Sequence, residues 1–340
     1  MLLALIAAVV ATAPQPAELR TFQDWTVACD NGLRCEAVAL LPEVETLPEG
    51  VWEGVTTLLF NRGAGAADAP EIVLDNLERQ PAALLVDGRP LPVRFAAQEA
   101  GYRLEGDPAT LIEAFRRGSA FEAHDASGAS LGRVSLAGAA AALLYMDERQ
   151  RRVGTVTALV RPGTRPASAV PPPPALPQVR AAPAPTDPPA AIDVARVAQL
   201  RRRLNCEEYD VREADSFEAE QIATGRTLVL IPCGSGAYNF SSVPVIAQRR
   251  GGRIELTVAS FDSQWGIATE GRPTLVNASW DAESRRLREY SKGRGLGDCG
   301  TSSEYVWDGT RFRLVGQRDM DECRGALTWL TTWRAEAIGR

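Results

Sequence analysis

The chain of 340 residues contains very little of two residue types that carry much of protein chemistry. Histidine occurs once, as His124, and lysine occurs once, as Lys292, so arginine supplies almost all of the 37 basic side chains. A metal cluster built on several histidines is therefore excluded, as is a Ser-His-Asp triad placed among several histidines. The scarcity of lysine, with a net charge of −6, also excludes a lysine-rich surface for nucleic acids.

Long apolar runs are missing after the first residues. Met1–Ala13 is apolar and uncharged, too short to span a bilayer as a helix, and typical of the hydrophobic region of a secretory signal peptide. Small residues allow cleavage after Ala11, Ala13 or Ala17, and a buried N-terminal strand or helix is the alternative. We therefore predict a signal peptide over 1–17, no membrane span after its cleavage, and a periplasmic or secreted protein.

Cysteine usage agrees with export. The even number of six cysteines suggests disulfides in an exported chain. Cys29 and Cys35 flank an Asn-Gly turn signal, so a bridge across that hairpin is the firmest pairing. Six cysteines allow fifteen connectivities, and for the other four sequence order favours the pairs Cys206–Cys233 and Cys299–Cys323. A zinc site would need close C-x₂-C pairs, which the sequence lacks, so we predict no metal and no cofactor.

Residues 166–190 mark the clearest boundary, because they include ten prolines. Such a segment is expected to run as an extended, semi-rigid linker, and a ligand for a proline-reading domain is the alternative. The sequence thus predicts an N-terminal domain over 18–165 and a C-terminal domain over 191–340. Neither has the basic excess that binding to a phosphate backbone requires, so we expect no nucleic acid partner.

The hydrophobic patterns predict an α+β fold with two domains, each a mainly antiparallel sheet with one or two helices. Three helices are expected: one from the cap Asp107 to the stop Gly118, one from the cap Ser135 to about Arg149, and one after the cap Asp193. The C-terminal domain is predicted to be mostly β, and its clearest element is a hairpin turning at Asp308-Gly309. Residues 327–337 suit either a helix or a strand. Strands are expected at 26–29, 34–39, 56–61, 71–74, 83–86, 102–104, 120–123, 131–134, 153–160, 227–231, 244–247, 253–259, 274–280 and 286–291.

Several segments resemble one bacterial family. They are the opening Phe22-Gln23-Asp24-Trp25-Thr26-Val27-Ala28-Cys29 with Cys35, Met146-Asp147-Glu148, the run Pro232 to Asn239, Asp298-Cys299-Gly300, Trp307-Asp308-Gly309, and Met320 to Arg324. Together they resemble the family catalogued as domain of unknown function 1176. The N-terminal part also distantly resembles invasion-associated locus B proteins, which share the F-x-D-W-x-x-x-C opening and a late Ser-Leu-x-Gly helix, here Ser135 to Gly138. The first resemblance implies an exported bacterial protein of unknown activity and supplies no catalytic residues.

Motifs for catalysis are weak. Cys233 and Ser235 lie in a glycine-rich run without the G-x-S-x-G spacing, and the single histidine lies in the other predicted domain. A bridged cysteine followed by a turn explains the same residues. The glycine-rich run 292–297 does not join a strand to a helix with the spacing of a phosphate loop, and it is expected to be a surface loop.

Paired acids are the remaining catalytic candidates, because two carboxylates can act as general acid and base in glycoside hydrolysis. The candidate sets are Asp147 with Glu148, and Asp319 with Asp321 and Glu322. Acids beside turns are usually solvated, which is the competing interpretation. The second set also lacks the D-x-D-x-D-G loop of a calcium site.

Aromatic side chains concentrate in the second domain, where most are expected in the core. Tyr238 and Trp265 lie in polar, glycine-containing segments that suggest loops, and exposed loop aromatics often anchor a partner. We predict a non-catalytic protein of the cell envelope that binds an envelope or extracellular protein or a glycan. The alternative is a periplasmic hydrolase that cleaves glycan or peptide with two carboxylates on opposite walls of a cleft.

Overall fold

The structure is a computed structural model that describes residues 13–42, 57–77, 79–99, 101–206, 217–263 and 272–339. Most of the signal peptide predicted over 1–17 lies outside these ranges. The described residues form antiparallel sheets with three α-helices, so the predicted α+β class is confirmed. None of the helices in these ranges has the length and apolar character needed to cross a membrane.

The elements of the first half are two sheets and two helices. The strands are β1 (Arg20–Phe22), β2 (Trp25–Cys29), β3 (Cys35–Ala39), β4 (Thr57–Arg62), β5 (Glu71–Asp75), β6 (Ala83–Val86), β7 (Arg89–Pro90), β8 (Arg94–Ala97), β9 (Tyr102–Glu105), β10 (Ala120–His124) and β11 (Ser130–Ser135). The helices are α1 (Pro108–Arg117) and α2 (Ala139–Arg149). The larger sheet has the order β1-β2-β3-β4-β5-β9-β8, and the smaller has the order β11-β10-β6-β7.

The second half contains one helix and most of the remaining strands. Helix α3 spans Val194–Arg203, after β12 (Gln178–Arg180). The later strands are β13 (Glu218–Ala223), β14 (Arg226–Ser235), β15 (Phe240–Arg250), β16 (Arg253–Val258), β17 (Leu275–Val276), β18 (Ser279–Asp281), β19 (Arg286–Lys292), β20 (Gly300–Trp307), β21 (Phe312–Met320), β22 (Leu330–Arg334) and β23 (Glu336–Ile338). One sheet has the order β13-β14-β15-β16 with β17 on β15, and the other has the order β18-β19-β20-β21-β22.

The larger sheet of the first half is buried on both faces. Along β2, Trp25 and Val27 face α1 and α2, whereas Ala28 faces the second half of the chain. The second half contributes Trp329 and Leu330 to this shared apolar cluster. Since successive side chains of a strand point to opposite faces, a strand covered on both sides needs no polar alternation, and β2 is buried throughout.

Polar contacts also join the two halves. Asn31 and Arg334 exchange hydrogen bonds, with Asn31 Nδ2 donating to the Arg334 carbonyl oxygen at 2.9 Å and Asn31 Oδ1 accepting from the Arg334 amide at 2.8 Å. Glu36 accepts from the Thr331 amide at 2.7 Å. Arg324 donates through Nε to the Leu41 carbonyl oxygen at 2.8 Å. The two halves therefore pack directly against each other in the structure.

The proline-rich segment pairs with the last strand of the chain. Gln178–Arg180 forms β12 and pairs in parallel with Glu336–Ile338, and the Val179 side chain is buried beside Val306 and Val315. This pairing uses the longest proline-free stretch of the segment, residues 178–182, which can donate consecutive backbone N–H groups to a ladder. The linker over 166–190 and the division into two domains stay predictions.

Helix caps and turns follow the sequence closely at most positions. Asp107 caps α1 by accepting from the Thr110 amide, Gly118 ends it, and Asp193 caps α3. The predicted hairpin is present, with Trp307 paired to Phe312 across the Asp-Gly turn. Residues 327–337, which suited either element, contain the strands β22 and β23.

Three local predictions are wrong. Ser135 ends β11, and α2 is instead preceded by Gly138, whose φ of 95° and close approach to the Phe22 carbonyl leave no room for a side chain. The strand predicted over 153–160 is a series of turns. The strand predicted over 274–280 is divided by Asn277, whose φ of 46° interrupts the extended backbone.

Candidate functional site

All six cysteines form disulfides, as expected for an exported chain, and the pairs are Cys29–Cys35, Cys206–Cys233 and Cys299–Cys323. These are the pairs that sequence order favours. A bridged Cys233 has no thiolate, so the pairing removes the cysteine-nucleophile interpretation of the glycine-rich run. The bridge fixes the end of β14 beside the loop that carries Tyr238.

One acid of each predicted set, Asp147 and Asp319, is buried and hydrogen-bonded to a neighbouring element. Asp147 at the end of α2 is fully buried and accepts hydrogen bonds from the amides of Leu159 and Val160 at 2.7 and 2.9 Å. Asp319 accepts from Gln317 Nε2 at 2.9 Å and from the Thr332 hydroxyl. These two carboxylates therefore hold neighbouring elements in place.

The remaining acids and the histidine show no shared site. Glu148 is exposed. Burial, with the nearby charges of Asp319 and Glu322, raises the pKa of Asp321. His124 lies at the end of β10, with Nε2 at 3.3 Å from Glu122 Oε2. Within the described ranges, no group of three or more His, Cys, Asp or Glu side chains is arranged to hold a metal ion.

Tyr238 lies on the surface, and Trp265 lies outside the described residues. Tyr238 is 36% exposed, Phe240 nearby is 58% exposed, and Leu296 on a second loop is 50% exposed. We call these three side chains the aromatic-loop patch. Large apolar side chains grouped on the surface commonly mark an interaction site.

The two loops of the aromatic-loop patch are joined by specific contacts. The Tyr238 ring lies directly against Gly295, where an added methyl carbon would be 3.5 Å from the ring. Asn239 donates through Nδ2 to the Lys292 carbonyl oxygen at 2.8 Å and accepts from the Lys292 amide at 3.1 Å. The residue between Tyr238 and Phe240 therefore binds the strand that leads into the Leu296 loop.

Asn277 fixes the same loops from the other side. Its Oδ1 accepts from the Phe240 amide at 3.0 Å, and its Nδ2 donates to the Tyr290 carbonyl oxygen at 2.8 Å. The positive φ that interrupts the predicted strand gives Asn277 this position. The apolar anchors are thus held by a hydrogen-bonded frame, which lowers the entropic cost of ordering them on binding.

The charges around the aromatic-loop patch are basic or already paired. The single lysine, Lys292, lies 5.7 Å from the centre of the Tyr290 ring, within the range of a cation–π contact. Arg294 binds the buried carboxylate of Asp298, and this hydrogen-bonded pair raises the pKa of Arg294. The patch therefore has a neutral apolar centre and a cationic neighbour.

A second concave surface lies in the first half. It is a groove of about 1110 Å³ lined by α1, by the turns of residues 156–162, and, beside the C-terminal end of α1, by residues of β6, β7 and the turn between them. We call it the α1 groove. Its apolar lining includes Leu91, Ile112, Val156 and Leu159, and the Val156 side chain is 58% exposed.

A buried ionic network supports the wall of the α1 groove. Arg62 donates through Nε to the Asp68 carbonyl oxygen at 3.1 Å and through Nη1 to Asp147 at 3.3 Å. Arg152 is fully buried and donates through Nη1 to the Thr157 hydroxyl at 3.1 Å. Burial, reinforced by the charge of Arg152, lowers the pKa of Arg62 to about 10, so the Arg62 guanidinium stays charged at neutral pH.

Sequence reasoning identified Tyr238 but missed Phe240, Leu296 and the α1 groove. Phe240 begins a long strand whose other residues are mostly buried, so its pattern indicates a core position. The groove is formed by segments distant in sequence, none of which has a motif. The amphipathic pattern of α1 offered the one usable signal, since Leu111 and Phe115 face the core while the opposite side remains for other contacts.

Comparison with known proteins identifies relatives that have no assigned activity. The family described as Protein of unknown function (DUF1176) matches residues 19–336. A protein of Escherichia coli (strain K12) described as Uncharacterized protein YpfG is 31% identical over 339 residues, with 92% of each chain covered. No solved structure gives a significant match.

Proposed function

The chain belongs to this family of proteins of unknown function, and we propose that it is an exported, non-catalytic protein that binds a protein partner of the cell envelope through the aromatic-loop patch. The observation that supports the proposal most directly is the exposure of Tyr238, Phe240 and Leu296 on two loops that hydrogen bonds hold together. Aromatic side chains are enriched in the contact surfaces of protein complexes.

Export is supported by two observations. The apolar start Met1–Ala13 has the length of a signal-peptide core. The three disulfides need an oxidising compartment to persist, which the periplasm or the extracellular space provides. Mass spectrometry of the mature protein is expected to find an N-terminus near residue 18 and to find the chain in the periplasmic or secreted fraction.

A protein is the partner class that the apolar character of the patch favours. Tyr238 and Phe240 are aromatic and Leu296 is aliphatic, the Tyr238 ring lies against Gly295, and the nearby Lys292 is cationic. An apolar pocket with an acidic rim on a partner protein would complement this arrangement. The hydrolase alternative stays a hypothesis from the sequence, since Asp147 and Asp319 are already bound to neighbouring elements.

Photo-crosslinking in cells tests the proposal. A photoreactive phenylalanine analogue at position 240 should give a discrete adduct, and Tyr238→Ala or Leu296→Ala in the same chain should reduce it strongly. The matched control places the analogue at Val194, which is 47% exposed on α3 in the same half of the chain. Equal adducts at both positions would contradict the proposal, and an adduct that resists proteases but is released by glycan-degrading enzymes would replace the protein partner by a glycan.

A further inference from the structure

We infer that the α1 groove is a binding site for one elongated amphiphile, a molecule with an apolar chain and an anionic head group. The site lies in the first half of the chain and is separate from the aromatic-loop patch, so the inference does not depend on the proposed function. It rests on the apolar floor of the groove, on the distribution of arginines along it, and on the fixed position of its wall.

The apolar part of the groove fits the chain of such a ligand. Its volume of about 1110 Å³ is slightly above the range usual for small-molecule sites, about 300–1,000 Å³, and is far larger than a single ion needs. Ile112 of α1 and Leu91, which follows β7, line the groove together with Val156 and Leu159 of the turns. Val156 is 58% exposed in the free protein, and an apolar chain in the groove would cover it.

The inner end of the groove offers no free partner for a charged head group. Arg62 is the deepest cation, and its guanidinium donates to the Asp68 carbonyl oxygen, to Asp147 and to the Thr157 carbonyl oxygen. A head group placed there would have to compete with bonds that are already made. The apolar chain, and not the head, therefore suits the inner end.

Arginines concentrate at the end of the groove where α1 terminates. Arg116 and Arg117 lie in the last turn of α1, and both pair with the single carboxylate of Glu113. Arg89 enters from the turn between β6 and β7 and makes no salt bridge to any residue in the described ranges. This end of the groove thus holds three guanidinium groups, of which Arg116 and Arg117 pair with the same carboxylate.

The other acid at this end does not cancel the excess. Asp87 lines the groove, but its carboxylate accepts hydrogen bonds from the amides of Ser119 at 3.1 Å and Ala120 at 3.0 Å. It holds the start of β10 against the β6–β7 turn. Because Arg89, Arg116 and Arg117 outnumber the acids here, this end of the groove complements a carboxylate or phosphate group.

The wall opposite α1 is positioned before any ligand binds. The amides of Leu159 and Val160 donate to the buried carboxylate of Asp147, and the Thr155 hydroxyl donates to the Arg152 carbonyl oxygen at 2.7 Å. These bonds fix the turns that present Val156 to the groove. A wall ordered in advance reduces the entropy lost on binding.

Fluorescence titration of the full-length mature protein with an undecanoic acid that carries a dansyl group tests the inference, and its methyl ester serves as the uncharged probe. The wild type is expected to bind the acid better than the ester. Val156→Asp should weaken both probes about tenfold or more, because it places a charge in the apolar wall. The double variant Arg89→Glu with Arg117→Glu should weaken the acid about tenfold and leave the ester unchanged.

Matched controls and competitors complete the test. Val258→Asp and Arg253→Glu place the same changes on β16 in the second half, where Val258 is exposed, and they should leave probe binding unchanged. Competition by oleate identifies a carboxylate head, and competition by a lysophosphatidic acid identifies a phosphate head. Equal binding of acid and ester, no binding at all, or an unaffected Val156→Asp variant with a native circular dichroism spectrum would overturn the inference. Photo-crosslinking at position 240 should be the same in Val156→Asp, which separates this result from the proposed function.

Discussion

Replacing Glu289 by glutamine is expected to remove a pH-dependent loss of stability from the second half of the protein. Glu289 lies on β19 between the two sheets, is buried, and accepts a hydrogen bond from the Tyr305 hydroxyl at 2.9 Å. The Tyr305 ring packs edge-on against Phe261 with 5.0 Å between ring centres. No cation faces the carboxylate among the groups that shift its pKa, and burial raises that pKa from 4.5 to about 7.

The sign follows from proton binding. Between pH 4.5 and pH 7 the unfolded chain has lost the Glu289 proton while the folded chain keeps it, so stability falls as the pH rises through this window. A difference of about 2.5 pKa units at about 1.4 kcal/mol each corresponds to roughly 3 kcal/mol, present below pH 4.5 and lost above pH 7. Glutamine keeps an acceptor for the Tyr305 hydroxyl and does not ionise, so the variant should not show this loss.

Urea unfolding at pH 5 and pH 8, with the disulfides intact, measures the effect. The free energy of unfolding of Glu289→Gln minus that of the wild type should rise by roughly 2.5 kcal/mol from pH 5 to pH 8, since part of the full effect is already lost at pH 5. Glu255→Gln is the control, because the Glu255 side chain is 54% exposed on β16 and solvated in both the folded and unfolded states. A difference that does not change with pH, or that falls, would refute the reasoning.

Three further predictions concern the stability of the fold and the disulfides. Asp147→Asn should lower the free energy of unfolding by about 3 kcal/mol in urea titration, because the buried Arg62 loses its carboxylate partner, while the exposed neighbour variant Glu148→Gln should change it little. Gly138→Ala should cost about 3 kcal/mol or more, since its methyl carbon would lie 1.7 Å from the Phe22 carbonyl oxygen. Gly128→Ala has a similar positive φ but open space around it and should cost only about 1 kcal/mol; equal costs would contradict the clash. Thiol titration of the denatured, unreduced protein should find no free thiol, and two or more reactive thiols would disprove the disulfide framework.

Local structure was predictable wherever one short stretch supplies its own partner. The Asp107 side chain accepts from the amide of Thr110 three residues later, and the Asp-Gly turn at 308–309 joins strands that pair directly across it. The Cys29–Cys35 bridge spans a turn of the same kind. The relevant contacts are close in sequence, so residue types and spacing are enough to predict them.

Local patterns could not predict contacts with residues that are distant in sequence. Residues 153–160 have the pattern of a strand, but the buried Asp147 accepts hydrogen bonds from the amides of Leu159 and Val160, and the segment turns. Val179 lies in the segment predicted to be an extended linker, and nothing in that segment predicts its pairing with the last strand of the chain. In both cases the distant partner cannot be identified from the local pattern.

The sequence by itself determined the caps at Asp107 and Asp193, the Asp-Gly hairpin, the Cys29–Cys35 bridge and the family, because each depends on neighbouring residues or on short motifs. Only the tertiary structure decided where binding surfaces lie. Phe240 is exposed because β15 begins beyond the edge of the core, and the α1 groove exists because α1 and the turns after α2, far apart in sequence, pack on the same sheet with a gap between them. Exposure and concavity depend on which elements cover a side chain, and that is fixed only when the whole chain has packed.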